Sequence, residues 1–169
     1  MFQTGELVVY GINGVCRVED VVEMSAPGGK EKHKYYTLMP IYHKGSKVFA
    51  PVDGHRIPMR PVMTDSEART LLKEADDLEE LSVPDEKHRE ETYRNAIKTC
   101  DCREWLKMIK TLHERMEERI ARGRKVPAND EKYFHLAEDN LFGELAVALS
   151  MERDKVSEYF ANSMKHTAH

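Results

Sequence analysis

At Thr64-Asp-Ser-Glu67 the chain changes its hydrophobic period, and this boundary limits the available folds more than any other feature. Before it, apolar residues come in short β-branched runs separated by turns. After it they recur every three or four residues, with no further strand-like run. Thr-x-x-Glu is a capping-box pattern, so a helix is expected to begin there. Strands first and helices afterwards predict an α+β chain in two domains, residues 1–63 and 64–169, rather than alternating α/β units.

The first part reads as four or five strands. Residues 6–10 and 15–22 are rich in valine, and Gly11-Ile-Asn-Gly14 between them tolerates positive φ. Ser25-Ala-Pro-Gly-Gly29 is a second turn, followed by a strand at 35–39. His43-Lys-Gly-Ser46 turns again into 47–51, and 56–62 holds a last short strand whose prolines place it at an edge. Short strands with frequent turns predict a small, strongly bent antiparallel sheet or barrel. Gly11-Ile-Asn-Gly14 precedes neither a helix nor a Lys-Ser/Thr pair, so it is no phosphate loop.

The second part reads as about five helices, near 65–80, 85–99, 102–122, 130–149 and 152–164. In the third, Trp105, Ile109, Leu112, Met116 and Ile120 form one apolar stripe. Asp101 with Glu104 gives a capping-box start, and Gly123 a stop. The opposite face, with Arg103, Lys107, Lys110, Arg115 and Arg122, is where a partner could act. The second helix offers Tyr93 and Ile97 for burial. The fourth turns Tyr133, Leu136, Ala137, Leu141, Leu145 and Leu149 inward, and the fifth Val156, Tyr159 and Phe160.

Charge and reactive residues narrow the function. The net charge of −4 suits no general polyanion binder, yet residues 86–125 carry twelve basic and eight acidic side chains against two and seven in 66–85. Three cysteines form no paired disulfide framework, and Cys100-x-Cys102 lacks a second pair at zinc spacing. The eight histidines are scattered; His113 reads as solvated, and His166 and His169 fall in a fraying tail. His135-x-x-Glu138 is too small for a metal site, and no nucleophile–base set stands out. A metal-free, cofactor-free interaction protein is expected, not an enzyme. No apolar run approaches the roughly 20 residues of a membrane span, and the N-terminus lacks a signal-peptide pattern, so a cytoplasmic location is expected.

Several strings in order resemble the CarD/CdnL family of bacterial transcription regulators. They are Phe2-x-x-Gly5-Glu-x-Val-Val-Tyr10, Gly14-Val15, Val48-Phe-Ala-Pro51, the run from Asp101 through Trp105, and Leu141-Phe-Gly-Glu-Leu-Ala146. The N-terminal module is also similar to the polymerase-interacting module of transcription-repair coupling factor, but no Walker motif follows here. The resemblance implies a Tudor-like first domain that docks on the RNA polymerase β subunit by a strand edge. The matching residues are Lys47, Val48, Phe49, Ala50 and Pro51, with Met24 near a position where members use arginine. It also implies a helical domain that contacts promoter DNA without reading sequence and holds the open complex, for which Arg89, Lys132, Arg124 and Lys125 are the candidates. Members often carry a tryptophan wedge just before the second helix; here Pro84-Asp-Glu-Lys-His-Arg89 has no aromatic residue. A monomer, nucleoid-associated through polymerase, is expected. The alternative is a protein-only adaptor whose helical domain binds another protein, favoured by the net acidity and the missing wedge.

Overall fold

The five β-branched runs pair into one antiparallel sheet of Leu7–Tyr10 (β1), Val15–Ser25 (β2), Lys32–Pro40 (β3), Val48–Pro51 (β4) and Met59–Pro61 (β5). The computed structural model describes residues 1–25, 28–54 and 56–165, the last four by backbone alone. Part of the expected 25–29 turn, and both His166 and His169, therefore lie outside the described residues. The strand order is β4-β3-β2-β1-β5, so β4 and β5 are the edges. A register shift between Val18 and Asp20 marks a bulge in β2, the device that sharpens local twist. At the β1–β2 turn Gly11 has φ +49°, and a Cβ there would lie 2.5 Å from Ile57 Cγ2. Only glycine fits.

Alternation divides the sheet residues between two cores. On one face Val8, Tyr10, Cys16, Val18, Tyr36, Leu38 and Ala50 pack against one another. On the other, Val9 and Val15, with Met63 beyond β5, join the cluster formed by the helices.

The helices are Asp65–Glu74 (α1), Arg89–Lys98 (α2), Cys102–Ala121 (α3), Ala128–Leu149 (α4) and Arg153–Lys165 (α5). The architecture is thus α+β, with five strands followed by five helices. At Thr64 both halves of the capping box form. At Asp101 only one does: its carboxylate accepts from Arg103 N at 2.8 Å, while Glu104 turns to Lys107. α1 is shorter than expected because the carbonyls after it are drawn off the helix. Lys110 Nζ donates to the backbone oxygens of Ala75, Asp76 and Leu78. α2 starts late because Asp85 caps a 3₁₀ turn, Glu86–His88, ahead of it.

α4 is the axis of the helical layer, in contact with α1, α2, α3, α5 and β2. Asn140 through Ala146 are all buried, so this stretch shows little amphipathic pattern. In α3, Trp105, Ile109 and Leu112 are buried as expected, joined by Leu106 and Met108. The stripe fails at its end: Met116 is half-buried and Ile120 is 59% exposed, because the last turns of α3 project past the layer. In α5, Val156 and Phe160 face inward four residues apart, which turns Tyr159 outward, contrary to expectation.

A charged clamp joins sheet to helices. Arg60 on β5 grips Glu144 on α4 through both carboxylate oxygens, at 2.6 and 2.7 Å, and Glu144 is fully buried. The same carboxylate accepts from Met63 N at 2.8 Å and lies 3.0 Å from the Cys102 thiol. Arg60 Nε donates to Cys100 O at 2.7 Å, and its guanidinium lies over the Trp105 ring. One residue earlier, Gly143 O accepts from the Tyr42 hydroxyl at 2.8 Å, and a Cβ on Gly143 would come within 2.8 Å of the Tyr42 ring.

Removing one member of such a buried pair strands the other, at about 3–5 kcal/mol. Glu144→Leu is expected to lower unfolding stability by about that amount in a urea titration. The double variant Arg60→Met/Glu144→Leu should recover most of the loss. Equal loss in the single and double variants would show that the clamp is not the relevant interaction.

Candidate functional site

β4 is an exposed edge whose sequence divides cleanly by face. Ala50 is buried and Val48 half-buried against Tyr36 and Leu38, while Phe49 is 48% exposed. Of the expected docking residues, Val48 and Ala50 thus serve the sheet's own core. Phe49 is the aromatic side chain presented outward, with exposed Lys47 before it and half-buried Pro51 after it.

The register also sets the backbone. Val52 N donates to Lys34 O at 3.0 Å, so the alternation of an antiparallel ladder directs Ala50 and Val48 toward β3. The N–H and C=O of Phe49 then point away from the sheet. The pairs Thr37↔Phe49, Tyr35↔Pro51, Val22↔Tyr35 and Met24↔His33 put Val22, Met24, Tyr35 and Phe49 on one face, opposite the Val18–Leu38–Ala50 core. Val22, Met24 and Tyr35 are each partly exposed. Structure therefore brings Met24 onto the same face as Phe49, although two strands away.

The helical cations are arranged differently from expectation. Every basic residue of the supposed partner face on α3 is engaged within the chain: Arg103 with Glu74, Lys107 with Glu104, Lys110 with three carbonyls, Arg115 with Asp130 and Glu86, and Arg122 with Glu118. That face is largely neutralised. Arg89 is held as well, by Glu86 through Nε and Nη2 and by a 2.6 Å bond to the Tyr93 hydroxyl.

Lys132 is exposed, its ammonium 5.4 Å from the Tyr133 ring, and Tyr133 in turn packs on Tyr93. Arg89 and Lys132 therefore flank one aromatic pair. Arg124 and Lys125 are exposed in the loop between α3 and α4. The residue missed from sequence is Glu86, which holds both Arg89 and Arg115. Its i,i+3 spacing to Arg89 was the available signal; its reach to Arg115 was not visible in the linear order.

Cys16, Cys100 and Cys102 are free thiols, and burial pushes each above its ordinary range, to about 12 for Cys16. A cavity of about 650 Å³ between β5, α1 and the start of α3 has Arg60, Ser66, Glu67, Cys100, Cys102 and Arg103 among its lining residues. No group of three or more potential metal ligands occurs among the described residues. Among the same residues no helix is long and apolar enough to cross a membrane.

The hydrogen bond from Arg89, helped by the charges of Arg89 and Arg115, holds the Glu86 carboxyl below the usual carboxylate range. A depressed carboxylate supports the fold above its unfolded value and loses that support as pH falls through its folded value. In a carbon-detected NMR titration Glu86 should titrate below about 4.3, the ordinary glutamate value. Arg89→Met should move it upward; an unmoved midpoint would refute the Arg89–Glu86 pairing.

The sequence model of the CarD-like/TRCF RID domain matches residues 2–63, a span that includes all five strands and ends before α1. No curated protein matches the chain.

Proposed function

We propose that this chain, whose residues 2–63 match the model of the CarD-like/TRCF RID domain, of a family that interacts with RNA polymerase, docks on the polymerase β subunit and modulates promoter opening. The observation that carries this reading is the β4 edge, which offers an outward backbone donor and acceptor at Phe49 beside an exposed aromatic anchor. Strand addition supplies affinity through main-chain bonds, and a buried aromatic supplies specificity. Met24, Lys47 and Pro51 border the contact.

In this reading residues 1–63 are the docking unit and 64–169 lie along promoter DNA as a monomer, brought to the nucleoid by polymerase. Lys132 and Lys125 meet phosphates without reading bases, Arg89 joins them only by leaving Glu86, and Arg124 lines the α3–α4 elbow instead. A wedge is not available. Residues 84–89 contain no aromatic side chain, and Trp105, fully buried under Arg60, cannot swing out. Stabilisation of the melted state is then electrostatic. It extends only as far as the difference in affinity for the two states, about 1.4 kcal/mol for each factor of ten.

One observation favours the adaptor alternative: Arg89 and Arg115 are already paired with Glu86 and Asp130, leaving few cations for DNA. The two readings separate experimentally. Phe49→Asp in the full chain should weaken binding to the polymerase β lobe at least tenfold without changing the circular dichroism spectrum; unchanged affinity would sink the docking proposal. Lys132→Glu should shorten open-complex lifetime, more at low salt than at high salt. A lifetime that ignores both the substitution and the salt would favour the adaptor.

A further inference from the structure

The elbow between α3 and α4 holds a feature that polymerase docking does not use. Arg115, Arg119, Arg122 and Arg124, with Glu118, line a depression of about 120 Å³. We propose that this cradle binds the terminal phosphate or diphosphate group of a small ligand.

The cradle is shaped by backbone bonds rather than by loose side chains. Gly123, at φ +71°, reverses the chain past the end of α3. Arg124 N then donates to Arg119 O at 2.8 Å, and Arg119 Nε donates to Lys125 O at 3.0 Å. This folds the loop, and with it Arg124, back over the last turns of the helix. Arg115 is fixed as one wall by Asp130 and Glu86, and Arg122 shares Glu118. Among the described residues Arg119 and Arg124 make no ion pair, and the two terminal nitrogens of Arg119 make no hydrogen bond.

Charge favours an anion here. Of the four guanidiniums, Arg115 is paired with Asp130 and Glu86 and Arg122 with Glu118, so the surplus positive charge rests on Arg119 and Arg124. The C-terminus of α3 opposes them with only about half an elementary charge. Its final carbonyls are moreover occupied by the N–H groups of Arg122, Gly123 and Arg124.

Shape and overall charge favour a terminal group over a nucleic-acid backbone. Arg119, Arg122 and Arg124, grouped around one concavity, could meet the three free oxygens of a terminal phosphate, or the larger number on a diphosphate. A phosphodiester presents two, on a convex rail. The volume is that of about four water molecules, room for one or two phosphate groups. The lining has no aromatic side chain on which a base could stack. The chain's net charge of −4 repels a polyanion over its whole length, but acts less on a small ion held within a Debye length of about 8 Å.

Isothermal titration of the full chain with inorganic pyrophosphate, against sodium chloride at matched ionic strength, tests the proposal. Saturable binding is expected, weakened at least tenfold by Arg119→Gln/Arg122→Gln. Arg124→Gln, which removes no side-chain bond within the protein, should weaken it severalfold with the ligand-free melting temperature unchanged. Absence of saturable binding, or affinity indifferent to all three substitutions, would overturn the assignment. So would displacement of pyrophosphate by a duplex oligonucleotide at equal phosphate concentration, which would make the elbow a backbone contact. Polymerase docking, read separately through Phe49→Asp, stands or falls independently of these outcomes.

Discussion

The Arg60–Glu144 clamp is the constraint on which the arrangement of the molecule depends. A fully buried carboxylate is tolerable only when its lone pairs are filled, and Glu144 is met by two guanidinium nitrogens, a backbone N–H and a thiol. Those donors come from β5, the segment leading into α1, and the start of α3. Satisfying one carboxylate therefore fixes three parts of the chain at once. The apolar contacts of Val9, Val15 and Met63 with the helical cluster follow from that placement and add the larger share of burial.

This gives the Leu141–Ala146 string a physical meaning. Leu141, Leu145 and Ala146 fill the core, Gly143 leaves room for the Tyr42 ring, and Glu144 receives Arg60. Each position answers to a different neighbour, which is why a helix stretch buried on every side needs such particular residues. The arginine-lined elbow and the β4 edge, by contrast, belong to parts of the chain that the clamp does not touch.

Much of the architecture was legible because local signals agreed with tertiary packing. Five strands, five helices and the Thr64 cap follow from hydrophobic period and capping chemistry. What escaped was non-local. Ile120 and Tyr159 fit their helical stripes, but nothing in a stripe tells where the neighbouring layer ends. Nothing in the local sequence marks Glu144 for an ion pair, since its partner lies 84 residues away. The β4 strand was readable as a docking edge only through its resemblance; the structure adds that Phe49, not Val48 or Ala50, is the side chain turned outward. The basic face of α3 was only partly readable, because composition counts charges but not the carboxylates and carbonyls that meet them.

The two sheet edges are unlike, and this bears on stoichiometry. β5 carries Pro61, which has no N–H, and its Arg60 is drawn into the helical layer. β4 keeps an outward donor and acceptor beside an aromatic residue, whereas the outward positions of β5 are Met59 and that same Pro61. A sheet that can be extended on one side accepts a single added strand and then has no second growing edge. Edge-to-edge joining of two copies would end at a closed pair, and a bound partner would exclude it. The two unlike edges thus favour strand addition at β4 and work against filaments.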